Sequence, residues 1–229
     1  MKISKEFSNH AKVYDDYNSI QLQVAQKLLE NVSTNTLDSV IDLGCGSGVV
    51  YNLIGKETKE FYAIDFAQGM LDVHPKADNI TCMLADFNKK ELFNLFKDTS
   101  IDRLISSSAL QWSEDIDKTF SYISSLNTKV SLAIFTCNTF KTVNEIASLP
   151  KFLRCNEVIE KSAKKYFDAE YTLVEYKLHF DSNEAMFRYI KQSGVSASRR
   201  LLSYKQTKAL IKNYPHNYLE FEVLFITES

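Results

Sequence analysis

Three of the chain's six glycines, Gly44, Gly46 and Gly48, fall within five residues, directly after an apolar run ending Ile41-Asp42-Leu43. Glycine reaches positive φ and lets backbone N–H groups approach a ligand with no Cβ in between. A strand, a glycine turn and a helix start in succession therefore predict a cradle for a cofactor. A tight strand-to-helix turn alone needs one glycine rather than three. The spacing also narrows the cofactor. A dinucleotide fingerprint G-x-G-x-x-G starting at Gly44 requires glycine at position 49, where the chain has Val49, and no G-K-[ST] of a phosphate-binding loop follows.

From residue 38 onward, short apolar runs at residues 40–43, 61–64, 80–84, 104–105 and 130–135 alternate with helical patterns at 49–56, 67–73, 91–96, 116–126 and 142–149. Such alternation predicts an α/β fold. Parallel strands are joined by crossover helices on both faces of an open sheet, and the binding crevice lies at the carboxyl ends of the strands. After Pro150 the pattern gives a helix near 158–165, a strand at 171–180, a helix at 183–193 and an apolar closing strand at 219–227. The last strand is expected to pair antiparallel with the preceding long one. Before the core, the stretch to about residue 30 reads as helical, with Val24, Leu28 and Leu29 on one face. The expected organisation is one domain: a helical lid segment (1–37), a cofactor-binding core (38–149), and a substrate-side insertion with closing strands (150–229).

A length of 229 residues suits one domain with a sizeable core, and 45% hydrophobic with 24% charged residues is a globular composition. Lys and Arg total 27 against 29 Asp and Glu, a net charge of -2, so nothing global points to nucleic acid or an anionic membrane. The first residues lack the apolar core of a signal peptide and no run is long enough to span a bilayer, which predicts a cytoplasmic chain. Cys45, Cys82, Cys137 and Cys155 form no C-x-x-C pair and no cluster with histidine. They are expected to be reduced, mostly buried thiols, with no metal site.

The segment Asp42-Leu-Gly-Cys-Gly-Ser-Gly48 resembles the first motif of class I S-adenosylmethionine-dependent methyltransferases. That resemblance implies a seven-stranded Rossmann-like sheet and S-adenosylmethionine as cofactor, with Asp42, Gly44, Cys45, Gly46 and Gly48 around its amino-acid end. Asp65 ends the second apolar run, where that family places an acid on the ribose hydroxyls. Phe66 is then expected beside the cofactor, and Met70 either packs against its adenine or fills core. Asp86 and Phe87, after the third run, resemble the motif that receives the adenine. Residues 106–112, Ser-Ser-Ser-Ala-Leu-Gln-Trp, are similar to the malonyl-[acyl-carrier protein] O-methyltransferase family, which opens pimelate synthesis for biotin. Phe7 to Ala11 with Tyr14, Asp15 and Gln21, Thr139 to Glu145, and Phe187 to Val195 resemble further segments of that family. Two departures stand out: Ser107 replaces a usual asparagine, and the loop Thr136-Cys137-Asn138 is poorer in glycine than the family's.

The resemblance implies methyl transfer to the free carboxylate of a malonyl thioester, on carrier protein or coenzyme A. A carboxylate is ionised at neutral pH and needs no general base, so catalysis reduces to orientation in a dry pocket. Tyr14 and Ser106 are expected beside the cofactor; Tyr17, Gln21, Gln111, Trp112 and Arg188 beside the acceptor, Arg188 meeting its carboxylate. An acidic carrier protein requires a basic patch. Candidates are Lys161, Lys164 and Lys165, and the stretch from Ala185 to Leu219, which has no acid but includes Arg188, Lys191, Arg199, Arg200, Lys205, Lys208 and Lys212. A monomer without nucleic-acid or membrane partner is expected. The competing readings are a methyltransferase for another small acid or for a quinone or phenol precursor, and a nonenzymatic S-adenosylmethionine-binding assembly factor.

Overall fold

In the computed structural model, residues 19–30, 32, 37–192 and 204–229 are described. The elements in chain order are α1 (Ser19–Leu29), β1 (Ser39–Leu43), α2 (Val49–Ile54) with a 3-10 turn (Gly55–Glu57), β2 (Glu60–Asp65), α3 (Gln68–Val73) and β3 (Ile80–Leu84). They continue with α4 (Lys90–Asn94), β4 (Arg103–Ser107), a second 3-10 turn (Leu110–Trp112), α5 (Ile116–Ser124), β5 (Lys129–Phe135), α6 (Lys141–Ile146) and α7 (Asn156–Ala163). The chain closes with β6 (Glu170–His179), α8 (Asn183–Gln192), α9 (Tyr204–Asn213) and β7 (Tyr218–Thr227).

All seven expected strands are present, in one sheet of order β3-β2-β1-β4-β5-β7-β6. Strands β1 to β5 pair in parallel, and β7 runs antiparallel to both β5 and β6. This is the class I methyltransferase arrangement that the sequence predicts. Strand order reverses between β1 and β4, which opens a crevice at their carboxyl ends.

Both faces are covered, which is why every residue of β1 is buried. The pleat sends Val40, Phe61, Ala63 and Ile105 to one face, where α1, α2, Met186, Tyr189 and Leu210 pack. Ile41, Leu43, Ile64, Leu104 and Leu132 point to the other, against Phe93, Phe120, Ile123 and Ile159. A side chain two residues further on shares a face. Asp42 and Asp65 therefore join Val40 and Ala63 on the α1–α2 side.

The expected N-terminal helix is present as α1, with Ile20, Gln21, Val24, Ala25, Leu28 and Leu29 buried. Two features depart from expectation. Helix α9 was not foreseen. Cys137 and Cys155 are joined as a disulfide, Cα to Cα 4.6 Å, while Cys45 and Cys82 stay free. The pair is 18 residues apart, and only the fold of the loop after β5 onto the start of α7 brings it together. Closing a loop of that size stabilises by about 3 kcal/mol. Cys155→Ser is therefore expected to lower the urea-unfolding free energy by about that amount, and a phosphine reductant to do the same to the wild type; identical unfolding curves would refute the bond's contribution. No helix among the described residues is long and apolar enough to cross a membrane.

Candidate functional site

A cavity lies at the carboxyl ends of β1 and β4. Asp42, Gly44, Cys45, Gly46 and Ser47 line it from the β1 side, with Val49 and Val50 of α2. Asp65 and Met70 enter from β2 and α3, Gln21 from α1, and Ser107, Ser108, Ala109 and Trp112 from the end of β4.

The glycine loop is held from below and left open above. Ile64 O accepts from Gly44 N at 2.8 Å and Cys45 N at 2.9 Å. All three glycines have positive φ: 81° at Gly44, 54° at Gly46 and 94° at Gly48. Their reasons for being glycine differ. A Cβ on Gly44 would lie 2.2 Å from Ala109 Cβ, and one on Gly48 2.5 Å from Pro75 Cδ. A Cβ on Gly46 would meet nothing within 4 Å. Gly44 and Gly48 thus permit packing, whereas the bare flank of Gly46 faces open space in a lining residue of the cavity.

Two buried acids stand under this loop. Asp65 uses both oxygens locally: Gly46 N donates to Oδ2 at 3.0 Å and Ala67 N to Oδ1 at 2.8 Å. Burial raises its pKa to about 6, against the lowering pull of those backbone bonds. Asp42 is 1% exposed and neither oxygen has a hydrogen-bond partner. Burial first, and the nearby Asp65 second, push its pKa up to about 8. An unpartnered carboxylate at the base of a cavity matches a ligand that carries positive charge. Of the roughly four acceptor positions of the Asp65 carboxylate, the backbone N–H groups of Gly46, Ala67 and Phe66 take three and leave room for a hydroxyl, so the residues present fit a cofactor with a cationic end and a hydroxyl-bearing ring beside it.

The structure places the other expected residues as follows. Asp42, Gly44, Cys45, Gly46, Asp65, Met70, Gln21 and Trp112 come together around the cavity. Ser106 does not line it: its side chain is fully buried and Oγ donates to Leu43 O at 2.7 Å, tying β4 to β1. Gln111 Nε2 donates to Ser108 O at 2.6 Å, bracing the turn from outside the lining. Phe66 and Phe87 contact each other at the ends of β2 and β3, ring centroids 6.3 Å apart. Arg188 is exposed on α8 and outside the lining. Lys164 and Lys165 pair with Glu160 and Asp117, and Lys161 is exposed. Tyr14, Tyr17, Arg199 and Arg200 lie outside the described residues.

Asp86 has a role that sequence reading missed. Its Oδ1 accepts from Asn88 N at 2.9 Å and Asn88 Nδ2 at 2.8 Å, and Asn88 Oδ1 in turn accepts from Glu114 N at 2.8 Å. Arg154 Nη2 donates to Ser113 O and Glu114 O at 2.7 and 3.0 Å, and Arg154 O accepts from Cys137 N at 2.9 Å. The disulfide closes the series. The loops after β3, β4 and β5 are thereby tied along one rim. Glu222, buried in β7, accepts from Thr136 Oγ1 and, on both oxygens, from Asn138 Nδ2, which shapes the glycine-poor loop after β5. Neither Arg154 nor Glu222 lies in a motif, so no sequence signal marked them.

Comparison with known proteins agrees with this geometry. Residues 41–128 match the family described as "Methyltransferase domain". The chain is 27% identical over 125 residues to malonyl-[acyl-carrier protein] O-methyltransferase of Priestia megaterium, covering 51% of this chain but only 44% of that relative. It is 24% identical over 230 residues to the protein of the same name from Buchnera aphidicola subsp. Baizongia pistaciae, covering 94% and 91%. In fold it is similar to phosphoethanolamine N-methyltransferase 2 of Haemonchus contortus, solved with S-adenosyl-L-methionine, at TM-score 0.57 and 16% identity over 96% of this chain and 57% of that one.

Proposed function

We propose that this chain, a class I methyltransferase by its sheet and by the match of residues 41–128, methylates the free carboxylate of a malonyl thioester, carried on acyl-carrier protein or coenzyme A. The observation that carries the cofactor half is Asp42, a buried carboxylate with no partner beneath an open glycine loop. The acceptor half rests on the relatives named above.

When bound, S-adenosylmethionine supplies an electrophilic sulfonium methyl group, whose transfer to a carboxylate oxygen gives a methyl ester and S-adenosylhomocysteine. Asp42 takes the ammonium of its amino-acid end, and the backbone from Gly44 to Ser47 surrounds that end. Asp65 accepts from a ribose hydroxyl while still holding Gly46 N and Ala67 N. Met70, buried in α3, forms an apolar wall. Trp112 and Gln21 bound the acceptor side. Water exclusion matters more here than proton transfer, because the attacking carboxylate is already ionised.

For the carrier, the exposed lysines of α9 serve better than Lys161, Lys164 and Lys165 at the end of α7, the last two of which are engaged in ion pairs. Lys205, Lys208 and Lys212 follow each other at spacings that share one helix face. Purified protein with S-adenosylmethionine and malonyl-carrier protein or malonyl-CoA should give a product heavier by one methylene, located on the malonyl carboxyl by mass spectrometry. Absence of ester from both thioesters would sink the proposal.

A further inference from the structure

We propose that the hydroxyls of Ser107 and Ser108 are the seat of the acceptor carboxylate, an inference that rests on the reading above and assigns it residues. Both serines line the cavity, and both Oγ atoms are shielded from solvent without a hydrogen-bond partner. Two buried hydroxyls left unsatisfied on one wall are unfavourable unless a ligand completes them.

Their backbone is fixed for the purpose. Ser108 has φ 62°, a left-handed conformation that side-chain-bearing residues rarely adopt. Ser108 N donates to Ala133 O at 2.9 Å, and Ser108 O accepts from Gln111 Nε2 at 2.6 Å. Both backbone groups are spent, and only the hydroxyl is left to act. Strain of this kind concentrates where a side chain must be aimed.

Position and charge agree. Asp42 is in register with Ile105 of β4, and Ser107 is two residues beyond, on the same face and one pleat, about 6.6 Å, nearer the carboxyl end. The serines thus stand on the open side of the residue assigned to the cofactor's cationic end. Among the described lining residues there is no Lys, Arg or His. Neutral groups are therefore the side-chain donors at hand for an anion, and of these the two adjacent serine hydroxyls are buried with no partner. Two donors can hold one carboxylate oxygen and leave the lone pairs of the other free to attack. This gives the role expected of Arg188, which is exposed outside the lining, to two neutral groups.

The test measures binding apart from turnover. Malonyl-CoA is titrated calorimetrically into protein saturated with S-adenosylhomocysteine, for the wild type, Ser107→Ala and Ser108→Gly. The glycine variant removes the hydroxyl and relieves the backbone, so its Tm should rise rather than fall. Each variant should bind malonyl-CoA at least about tenfold more weakly, with S-adenosylhomocysteine affinity within about twofold of wild type. Wild-type binding equalled by both variants, or no wild-type binding, would overturn the seat. If the variants weaken binding yet the wild type forms no ester, the seat stands and the methyl-transfer reading fails. If ester forms and the variants bind as the wild type does, the reverse holds.

Discussion

Gly44→Ala should cost the fold about 3 kcal/mol or more, while Gly46→Ala should fold and lose most of its affinity for S-adenosylhomocysteine. At Gly44 the new methyl would sit 2.2 Å from Ala109 Cβ at φ 81°, so one residue faces both overlap and an unfavourable backbone. Overlap in a packed site costs about 1–3 kcal/mol and a left-handed alanine about 1–2 kcal/mol. In a chain of this size that lowers Tm by roughly 6–12 °C. Gly46 carries only the second penalty, since nothing lies within 4 Å of its would-be Cβ. Its methyl would occupy the cradle itself. Cofactor affinity should fall by at least about tenfold, which is about 1.4 kcal/mol. Thermal melts and calorimetric titration of both variants separate the roles. A stable Gly44→Ala protein, or unchanged affinity in Gly46→Ala, would refute the division of labour.

The second large effect concerns Asp42 and pH. Its folded-state pKa of about 8 lies far above that of an unfolded aspartate, about 3.9. The folded protein therefore holds a proton that the unfolded chain releases. The resulting stabilisation is complete below the unfolded value and is lost progressively as pH rises through about 8. A bound ammonium reverses the preference, because it favours the ionised carboxylate. Cofactor affinity should accordingly rise between about pH 6 and about pH 8.5, with a proton released on binding. Asp65, raised by burial to about 6, loses its own share at lower pH. Asp42→Asn removes the titrating group: the ligand-free protein should keep its Tm as pH rises toward 8.5, yet bind cofactor roughly tenfold or more weakly, with a flatter pH profile. A wild-type affinity independent of pH would refute this linkage, and so would an Asp42→Asn profile with the same slope.

The sheet was legible because its determinants are local and periodic. Apolar runs marked all seven strands, and the glycine cluster marked the turn after β1. The burial of α1 is also local, since Val24, Leu28 and Leu29 recur at helical spacing. What escaped depends on where the topology carries a residue. Cys137 and Cys155 looked unrelated because the loop between them returns only in three dimensions. Ser106, Ser107 and Ser108 are adjacent and chemically identical, yet pleat direction and one positive φ bury the first against Leu43 O and leave the other two on the cavity. Arg188 occupies a helix whose apolar residues, Met186 and Tyr189, face the core and leave the guanidinium outside. Helix α9 has a polar, lysine-rich pattern in which Leu210 is deeply buried, too sparse a stripe to announce itself.

The rim from Asp86 through Asn88, Glu114 and Arg154 to the Cys137–Cys155 bond has a mechanical consequence. It works as a hoop across the loops that follow β3, β4 and β5, each fastened to the next by a polar side chain or a covalent link. A hoop resists spreading. Traffic into and out of the cavity must therefore be accommodated away from this rim, and slackening any one fastening loosens the wall that bears Trp112 even though no fastening lines the cavity.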